Sequence, residues 1–221
     1  MIECENLKKH YGRHKVLRGV SFSLEGGRCA AIVGGNGSGK STLLSLLAGV
    51  VPRDTGSFRL DGRELFSARK ALARAVGFVP QTPPLIPELT AWDNLRLWYD
   101  KKTLEASLSD GTLAMLGIPD FLGKRVSHLS GGMQKRLSIG CAVAGAPRVL
   151  LLDEPTAALD LACKEAIAAY LRTFCAEGGT VLLTTHEERE IAAADCCFLL
   201  RDGLLTPFTY DGDLPSLVRA L

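Results

Sequence analysis

A chain of 221 residues with 47% hydrophobic and 23% charged residues has the composition of an ordinary globular protein and fits a single domain. A formal net charge of +2 gives no general attraction to nucleic acid or anionic lipid, and the longest apolar runs are too short to cross a bilayer. Seven cysteines without a C-x-x-C pair argue against a disulfide framework, so we expect reduced thiols.

The first part of the chain predicts antiparallel strands at an edge of the fold, because two short apolar stretches between residues 2 and 24 surround polar turns. Tyr11 lies between them; an aromatic ring can stack on a purine, but spacing alone favours a half-exposed strand tyrosine. The basic residues at 8–10 and 13–15 are interpreted as a solvated strand edge rather than a binding patch. The start of the chain lacks the features of a secretory signal, so we expect it to stay in the cytoplasm.

The strongest signal follows the apolar run 29–33, where the sequence matches G-x-x-x-x-G-K-[ST] and predicts a strand, a glycine loop and a helix. Backbone N–H groups of such a loop turn inward on phosphate, and the start of the helix adds unpaired N–H groups and the positive end of its dipole. Lys40 supplies a charge for the β- and γ-phosphates, and the Ser41 hydroxyl is a natural Mg²⁺ ligand. This phosphate loop consists of Gly34, Gly35, Asn36, Gly37, Ser38, Gly39, Lys40, Ser41 and Thr42.

The first helix is expected to end near Gly49, and strands are predicted around 57–60 and 75–79. Gln81 follows the second strand, at the edge where open α/β sheets place their ligands. Its amide can coordinate Mg²⁺ or position water, although a glutamine after a strand is usually only a loop residue. From about residue 83 to 145, leucines recur among polar residues, which predicts a helical lobe inserted into the α/β body.

The last helix of this lobe is preceded by Leu-Ser-Gly-Gly. Ser130 fits the N-cap position, and the two glycines leave the start of the helix open to an anion. The same pattern more often means capping alone, so both interpretations stay open on this evidence.

Two acids follow the fully apolar stretch 149–152, which predicts a central parallel strand buried on both faces. Because adjacent strand residues point to opposite sides, we expect Asp153 and Glu154 to have different roles. We assign Asp153 to Mg²⁺, directly or through water, and Glu154 to the attacking water as general base, which contributes about 10²–10⁴ in rate. Another strand, 180–185, ends at His186, which can contact a γ-phosphate, although a loop histidine is more often structural.

The tail offers weaker signals. Cys196 and Cys197 are interpreted as packing residues rather than as a metal or redox site. The Asp-Gly pair at 202–203 predicts a closing hairpin, and the sequence beyond residue 206 says little.

The order of these motifs, with Ala-Leu-Asp at 158–160, resembles the ATP-binding subunit of ABC transporters. The resemblance runs from about residue 2 to 205, and Leu-Ser-Gly-Gly is highly specific to that superfamily. It implies an α/β fold: a P-loop NTPase core with a parallel sheet, an antiparallel β edge subdomain and an inserted helical subdomain. We therefore expect one ABC-type domain over residues 1–221, with the core at about 1–82 and 146–221 and the lobe at about 83–145.

The resemblance also implies ATP and Mg²⁺ as cofactors and assigns roles to single residues. Lys40, Glu154 and His186 match catalytic positions, and His186 is the switch histidine. Tyr11 matches the aromatic that stacks on adenine, and Gln81 the glutamine that binds Mg²⁺ and couples the lobe. Further matches are the dimer-contact aspartate Asp160 and a signature element formed by Ser130, Gly131, Gly132, Met133 and Gln134. Many members have glutamine in place of Met133, and a serine where this chain has alanine before Leu159.

In this family two subunits pair head to tail, so that each ATP lies between the phosphate loop of one and the signature element of the other. We expect an ATP-hydrolysing subunit in a homo- or heterodimer, held on the cytoplasmic face of the membrane by separate transporter subunits that it drives. The stretch 81–95 is similar to exporters with a separate six-helix membrane subunit. The alternatives are a soluble ABC-type ATPase with a mechanical role, such as iron–sulfur cluster assembly, and a nucleotide-sensing module without turnover.

Overall fold

The structure, a computed structural model, describes residues 1–212. Its strands are β1 (Ile2–Tyr11), β2 (His14–Leu24), β3 (Cys29–Val33), β4 (Thr55–Leu60), β5 (Arg63–Glu64), β6 (Val76–Val79), β7 (Val149–Asp153), β8 (Thr180–Thr184), β9 (Cys196–Arg201) and β10 (Leu204–Phe208). Its helices are α1 (Lys40–Leu47), α2 (Arg69–Ala75), α3 (Ala91–Arg96), α4 (Lys101–Ser109), α5 (Thr112–Met115), α6 (Gly131–Ala142), α7 (Leu161–Ala176) and α8 (Glu188–Ala193). Short 3-10 segments cover Pro119–Phe121 and Val126–His128.

The central sheet has the strand order β10-β9-β3-β8-β7-β6, and all neighbours are parallel except β10 and β9. Every residue of β7 and β8 is buried, as their apolar central residues predict for strands covered on both faces. Because the strands are parallel, the residues that follow β3, β8, β7 and β6 all lie at one edge of the sheet. The phosphate loop and the candidate site residues Gln81, Asp153, Glu154 and His186 lie at this edge.

The second sheet is antiparallel, with the order β2-β1-β4-β5, which confirms the predicted β edge. The interpretation of the basic residues on β1 as a solvated edge is wrong for Lys9, which is only 8% exposed. Its Nζ donates to the carbonyl of Pro52 at 2.7 Å and lies 3.5 Å from the Asp54 carboxylate, which also contacts His10 Nδ1 at 2.8 Å. Lys9 therefore holds β1 against the turn before β4.

The helical lobe comprises α3 to α6 and lies between β6 and β7 along the chain. Of its predicted leucines, Leu95, Leu104, Leu113 and Leu116 are fully buried, while Leu97 is 59% exposed. The lobe also holds both tryptophans of the protein. Trp92 packs partly against the core, and Trp98 is 65% exposed.

The tail of the described residues contains the predicted hairpin, and the cysteines differ in burial. All seven cysteines are free, and Cys197 is buried. Strands β9 and β10 form the hairpin predicted at Asp202-Gly203, whose φ angles of 51° and 73° suit a tight turn. No helix among residues 1–212 is both long and apolar enough to span a membrane.

Candidate nucleotide-binding site

The phosphate loop joins β3 to α1 and packs closely against residues of β9 and β2. A Cβ at Gly34 would lie 2.4 Å from the Leu200 carbonyl oxygen, and one at Gly39, where φ is +106°, would lie 2.9 Å from Val16 Cγ1. A side chain at Gly34 would displace the backbone of β9, and the positive φ at Gly39 strains any residue other than glycine. Gly39 is also the N-cap of α1 and provides no side-chain cap, so the first N–H groups of the helix have no side-chain acceptor at the cap.

Lys40 places its ammonium group beside the first two residues of this loop. Its side chain is buried, and Nζ donates to the carbonyls of Gly34 at 2.6 Å and Gly35 at 3.2 Å. Burial lowers the pKa of Lys40, while the nearby carboxylates of Glu154 and Asp153 act in the opposite direction. The Lys40 side chain therefore interacts electrostatically with both acids at the end of β7, Asp153 and Glu154.

Asp153 and Glu154 differ in position, but not for the reason predicted. Asp153 is the last residue of β7 and is buried; its Oδ1 accepts a 2.6 Å hydrogen bond from Thr184 Oγ1 on the neighbouring strand β8. Glu154 lies beyond the strand with φ of +47°, so alternation along a strand does not apply to it. Its N–H donates to the Thr184 carbonyl at 3.1 Å, which holds the unusual backbone in place.

The Glu154 side chain lies between two residues from neighbouring strand ends. Gln81 Nε2 donates to Glu154 Oε2 at 3.0 Å, and His186 Nε2 lies 3.8 Å from Glu154 Oε1. The pKa of His186 is lowered by burial and by the charge of Lys40, and Glu154 only partly opposes this. This lowered pKa favours the uncharged imidazole, and the cluster brings together an acidic group, an imidazole ring and an amide.

The signature element begins α6 as the pattern predicts. Ser130 is the N-cap, and its Oγ accepts from the Met133 N–H at 3.3 Å. Gly131 is exposed, whereas Gln134 turns back to donate to the carbonyls of Val126 at 3.3 Å and Leu129 at 3.1 Å. Within residues 1–212, no hydrogen bond or ion pair joins this element to the phosphate loop or to Glu154.

Two other predicted residues lie apart from this cluster. Tyr11 ends β1, is 49% exposed and has the Nζ of Lys9 at 5.2 Å from its ring centroid. Asp160 is the N-cap of α7, where its Oδ1 accepts from the Cys163 N–H at 2.8 Å, and this bond lowers the pKa of the carboxyl group.

A cavity of about 550 Å³ beside the phosphate loop contains residues that the sequence analysis missed. We call it the basic cavity; its lining includes residues 35–38 of the loop together with His14, Lys15, Arg18 and Arg201. The signal was present in the basic cluster at 13–15, which was interpreted only as a strand edge. Tyr11 is not among the residues that line this cavity.

The side-chain oxygen atoms at this edge of the sheet suit a nucleotide bound together with Mg²⁺. The buried Ser38 Oγ has no partner among the described residues, so it is available to a phosphate oxygen. Ser41, Gln81 and Asp153 offer hydroxyl, amide and carboxylate oxygens, which are the ligands that Mg²⁺ prefers. Residues 1–212 contain no group of three His, Cys, Asp or Glu side chains that could hold a metal, so this oxygen set would depend on phosphate oxygens as well.

Comparison with known proteins agrees with this geometry. The family model described as "ABC transporter" matches residues 17–157. The chain is 36% identical over 215 residues to the lipoprotein-releasing system ATP-binding protein LolD of Porphyromonas gingivalis, covering 93% of this chain and 98% of that protein. It is 34% identical over 195 residues to the linearmycin resistance ATP-binding protein LnrL of Bacillus subtilis, covering 86% of this chain but only 63% of that protein. A solved dimeric ATP-binding cassette in a post-hydrolysis state, bound to ADP and Pi, has a TM-score of 0.82 at 27% identity, with coverage of 95% and 100%.

Proposed function

Because the chain belongs to the ABC transporter family as an ATP-binding subunit, we propose that it hydrolyses ATP between two paired subunits and so drives transport through separate membrane subunits. The observation that carries this proposal is the position of Glu154, which contacts Gln81 and His186 where three neighbouring strands end. Lys40 lies close to the same carboxylate. One edge of the sheet thus combines phosphate binding with a base for water.

Each residue at this edge has a proposed role. The phosphate loop and Lys40 hold the β- and γ-phosphates, and Ser41, Gln81 and Asp153 would hold Mg²⁺, which would neutralise phosphate charge. Glu154 accepts the proton of the attacking water. His186 contacts the γ-phosphate. Tyr11 is proposed as the adenine contact, and the basic cavity as a positively charged surface beside the nucleotide.

We propose that a second ATP-binding subunit, identical or different, completes the site. The N-terminus of α6 with its exposed Gly131 is capped by Ser130 and is suited to an anion, but it is not bonded to the phosphate loop of its own chain. The solved relative that binds ADP and Pi is dimeric, which supports this arrangement. Asp160, exposed at the start of α7, is the proposed dimer contact.

The proposed membrane partner docks on a groove between the core and the lobe. We call this surface the lobe groove; it has a volume of about 480 Å³ and its lining includes Phe78, Leu85, Ile86, Leu97 and Trp98. Three of these are exposed apolar side chains: Ile86 at 41%, Leu97 at 59% and Trp98 at 65%. An apolar segment of a membrane subunit is the proposed occupant, and it would hold the protein on the cytoplasmic face. The name of LolD, an ATP-binding protein of a lipoprotein-releasing system, does not favour a soluble mechanical ATPase.

Phosphate release by the purified protein tests the proposal, with two variants that separate hydrolysis from binding. Glu154→Gln removes the base, so turnover should fall at least about 100-fold while ATP is still bound. Lys40→Ala removes a charged phosphate contact, so ATP affinity itself should fall about 10- to 100-fold. Normal turnover of Glu154→Gln would reject Glu154 as the general base. Unchanged ATP affinity of Lys40→Ala would reject the proposal that the phosphate loop binds the phosphates of ATP.

A further inference from the structure

Lys135 is a buried charged residue on α6 that the proposed chemistry does not use. It is 5% exposed, and among the described residues it forms no ion pair with a carboxylate. Its Nζ instead donates to backbone carbonyls, those of Gln81 at 2.9 Å, Pro80 at 3.1 Å and Asp153 at 3.5 Å. Burial lowers the pKa of Lys135, partly offset by the charges of Asp153 and Glu154.

The three acceptors lie on both sides of the contact between Gln81 and Glu154. Pro80 and Gln81 begin the loop after β6, and the Asp153 carbonyl belongs to the peptide bond that leads into Glu154. The side chains of Gln81 and Glu154 are themselves joined at 3.0 Å. One ammonium group therefore fixes the backbone beneath both partners of this hydrogen bond.

Lys135 also belongs to the helix that begins at the signature element. Buried ammonium groups are costly, and an apolar side chain of similar length would fill this space without that cost. Three carbonyl contacts that cross from the lobe to the core explain why a lysine stands here. A movement of α6 would be passed through Nζ to the two loops at the edge of the sheet.

We propose that Lys135 is a positioning residue that couples the signature helix α6 to Gln81 and Glu154 in the same subunit. This inference rests on the proposed function, in which the signature element contacts the nucleotide of the second subunit. Lys135 would then report the occupation of one nucleotide site to the hydrolytic carboxylate of the other.

The test uses the full chain with Lys135→Met, which keeps the length of the side chain and removes its charge and donors. Turnover should fall about 10- to 100-fold, as expected when a reacting group loses its position, while ATP affinity changes less than about threefold. Lys102→Met, an exposed lysine on α4, is the matched control and should leave turnover unchanged. Lys135→Gln keeps an N–H donor and should recover part of the lost turnover; it also serves as the second variant if the methionine variant does not fold.

A double variant separates positioning from general packing. If Lys135 acts through Gln81, adding Gln81→Ala to Lys135→Met should cost little more than the larger single effect. Fully additive losses, equal losses of ATP affinity and turnover, or turnover within about twofold of the wild type would each overturn the inference.

Amide hydrogen exchange gives a readout that is independent of turnover. Lys135→Met should speed exchange in the loop after residue 80 by about tenfold or more and leave residues 34–42 unchanged. Unchanged exchange in that loop would overturn the coupling even if the wild-type protein is an active ATPase. If the wild-type protein does not hydrolyse ATP, the proposed function is rejected. The exchange experiment would still decide whether Lys135 holds the loop after residue 80.

Discussion

Glu154 occupies its position because of a backbone conformation that few residues other than glycine adopt. Its φ of +47° is unfavourable for a side chain with a Cβ, at a cost on the order of 1–3 kcal/mol. The N–H contact to the Thr184 carbonyl maintains it. This backbone conformation directs the Glu154 side chain toward Gln81 and His186, as its proposed role as general base requires, so the local cost accompanies the proposed function.

The charge of His186 provides a prediction at the same scale. Burial and Lys40 lower the pKa of this imidazole below the ordinary value of 6.5, so the ring should stay neutral in the folded protein until the pH falls below that value. Because folding lowers the pKa, the stability that His186 contributes is present above 6.5 and is lost as the pH falls through its folded pKa.

An NMR titration of the nucleotide-free protein measures this directly. The imidazole signal that disappears in His186→Gln identifies the residue, and its midpoint should lie below 6.5. A midpoint at or above that value would contradict the environment described for His186.

The main candidate residues of the site could be predicted from motifs, but their contacts could not. Asp153, Glu154 and His186 were recognisable because each follows an apolar strand, and parallel strands end at one edge. The bond from Thr184 to Asp153 depends on the pairing register between β7 and β8, which no local pattern specifies. No sequence motif assigns a role to Lys135, because its hydrogen-bond acceptors are backbone carbonyls of residues far away in the sequence.

At the scale of elements, α6 and α7 approach each other closely at Gly132. A Cβ added at Gly132 would lie 2.4 Å from Cys163 Sγ and 3.1 Å from Cys163 Cβ. Asp160 caps α7 by accepting from the Cys163 N–H. The start of the signature helix and the start of α7 are therefore held at a distance that only glycine permits.

Replacing this glycine should separate the two helices. We expect Gly132→Ala to destabilise the protein by about 1–3 kcal/mol through overpacking, which lowers Tm by about 2–10 °C. Gly131→Ala is the matched control, because a Cβ there would meet only Leu159 Cδ2 at 4.0 Å. Calorimetry of the nucleotide-free variants measures both values, and Cys163→Ala should restore part of the loss; equal Tm values for the two alanine variants would contradict this packing.

Elements were predictable where sequence periodicity or capping is strong. Strands β3, β7 and β8 are apolar runs with clear ends, and Ser130 signals the start of α6. Helix α2 was not predicted, since Leu72 is its only buried residue and a single apolar position gives no periodicity. The exposure of Leu97 on the lobe likewise depends on tertiary packing and could not be predicted from the sequence pattern.

At the scale of the whole molecule, the lobe groove should determine partner binding without affecting hydrolysis by the isolated subunit. Trp98→Asp places a charge in the proposed docking surface, so co-purification with a co-expressed membrane subunit should fall about tenfold or more. Met115→Asp is the control, because Met115 is also exposed on the lobe, at 45%, but does not line the groove. Equal recovery of the membrane subunit with both variants would exclude this groove as the docking site.

Both tryptophans belong to the helical lobe, Trp92 within α3 and Trp98 just after it. Indole emission from this protein therefore originates in one subdomain, while the phosphate loop and the strand ends contain no tryptophan. Because neither tryptophan belongs to the phosphate loop or to the signature element, a change in emission colour or intensity when ATP is added would report altered surroundings of the lobe. The two tryptophans thus form an intrinsic fluorescence probe of the helical lobe that needs no attached dye.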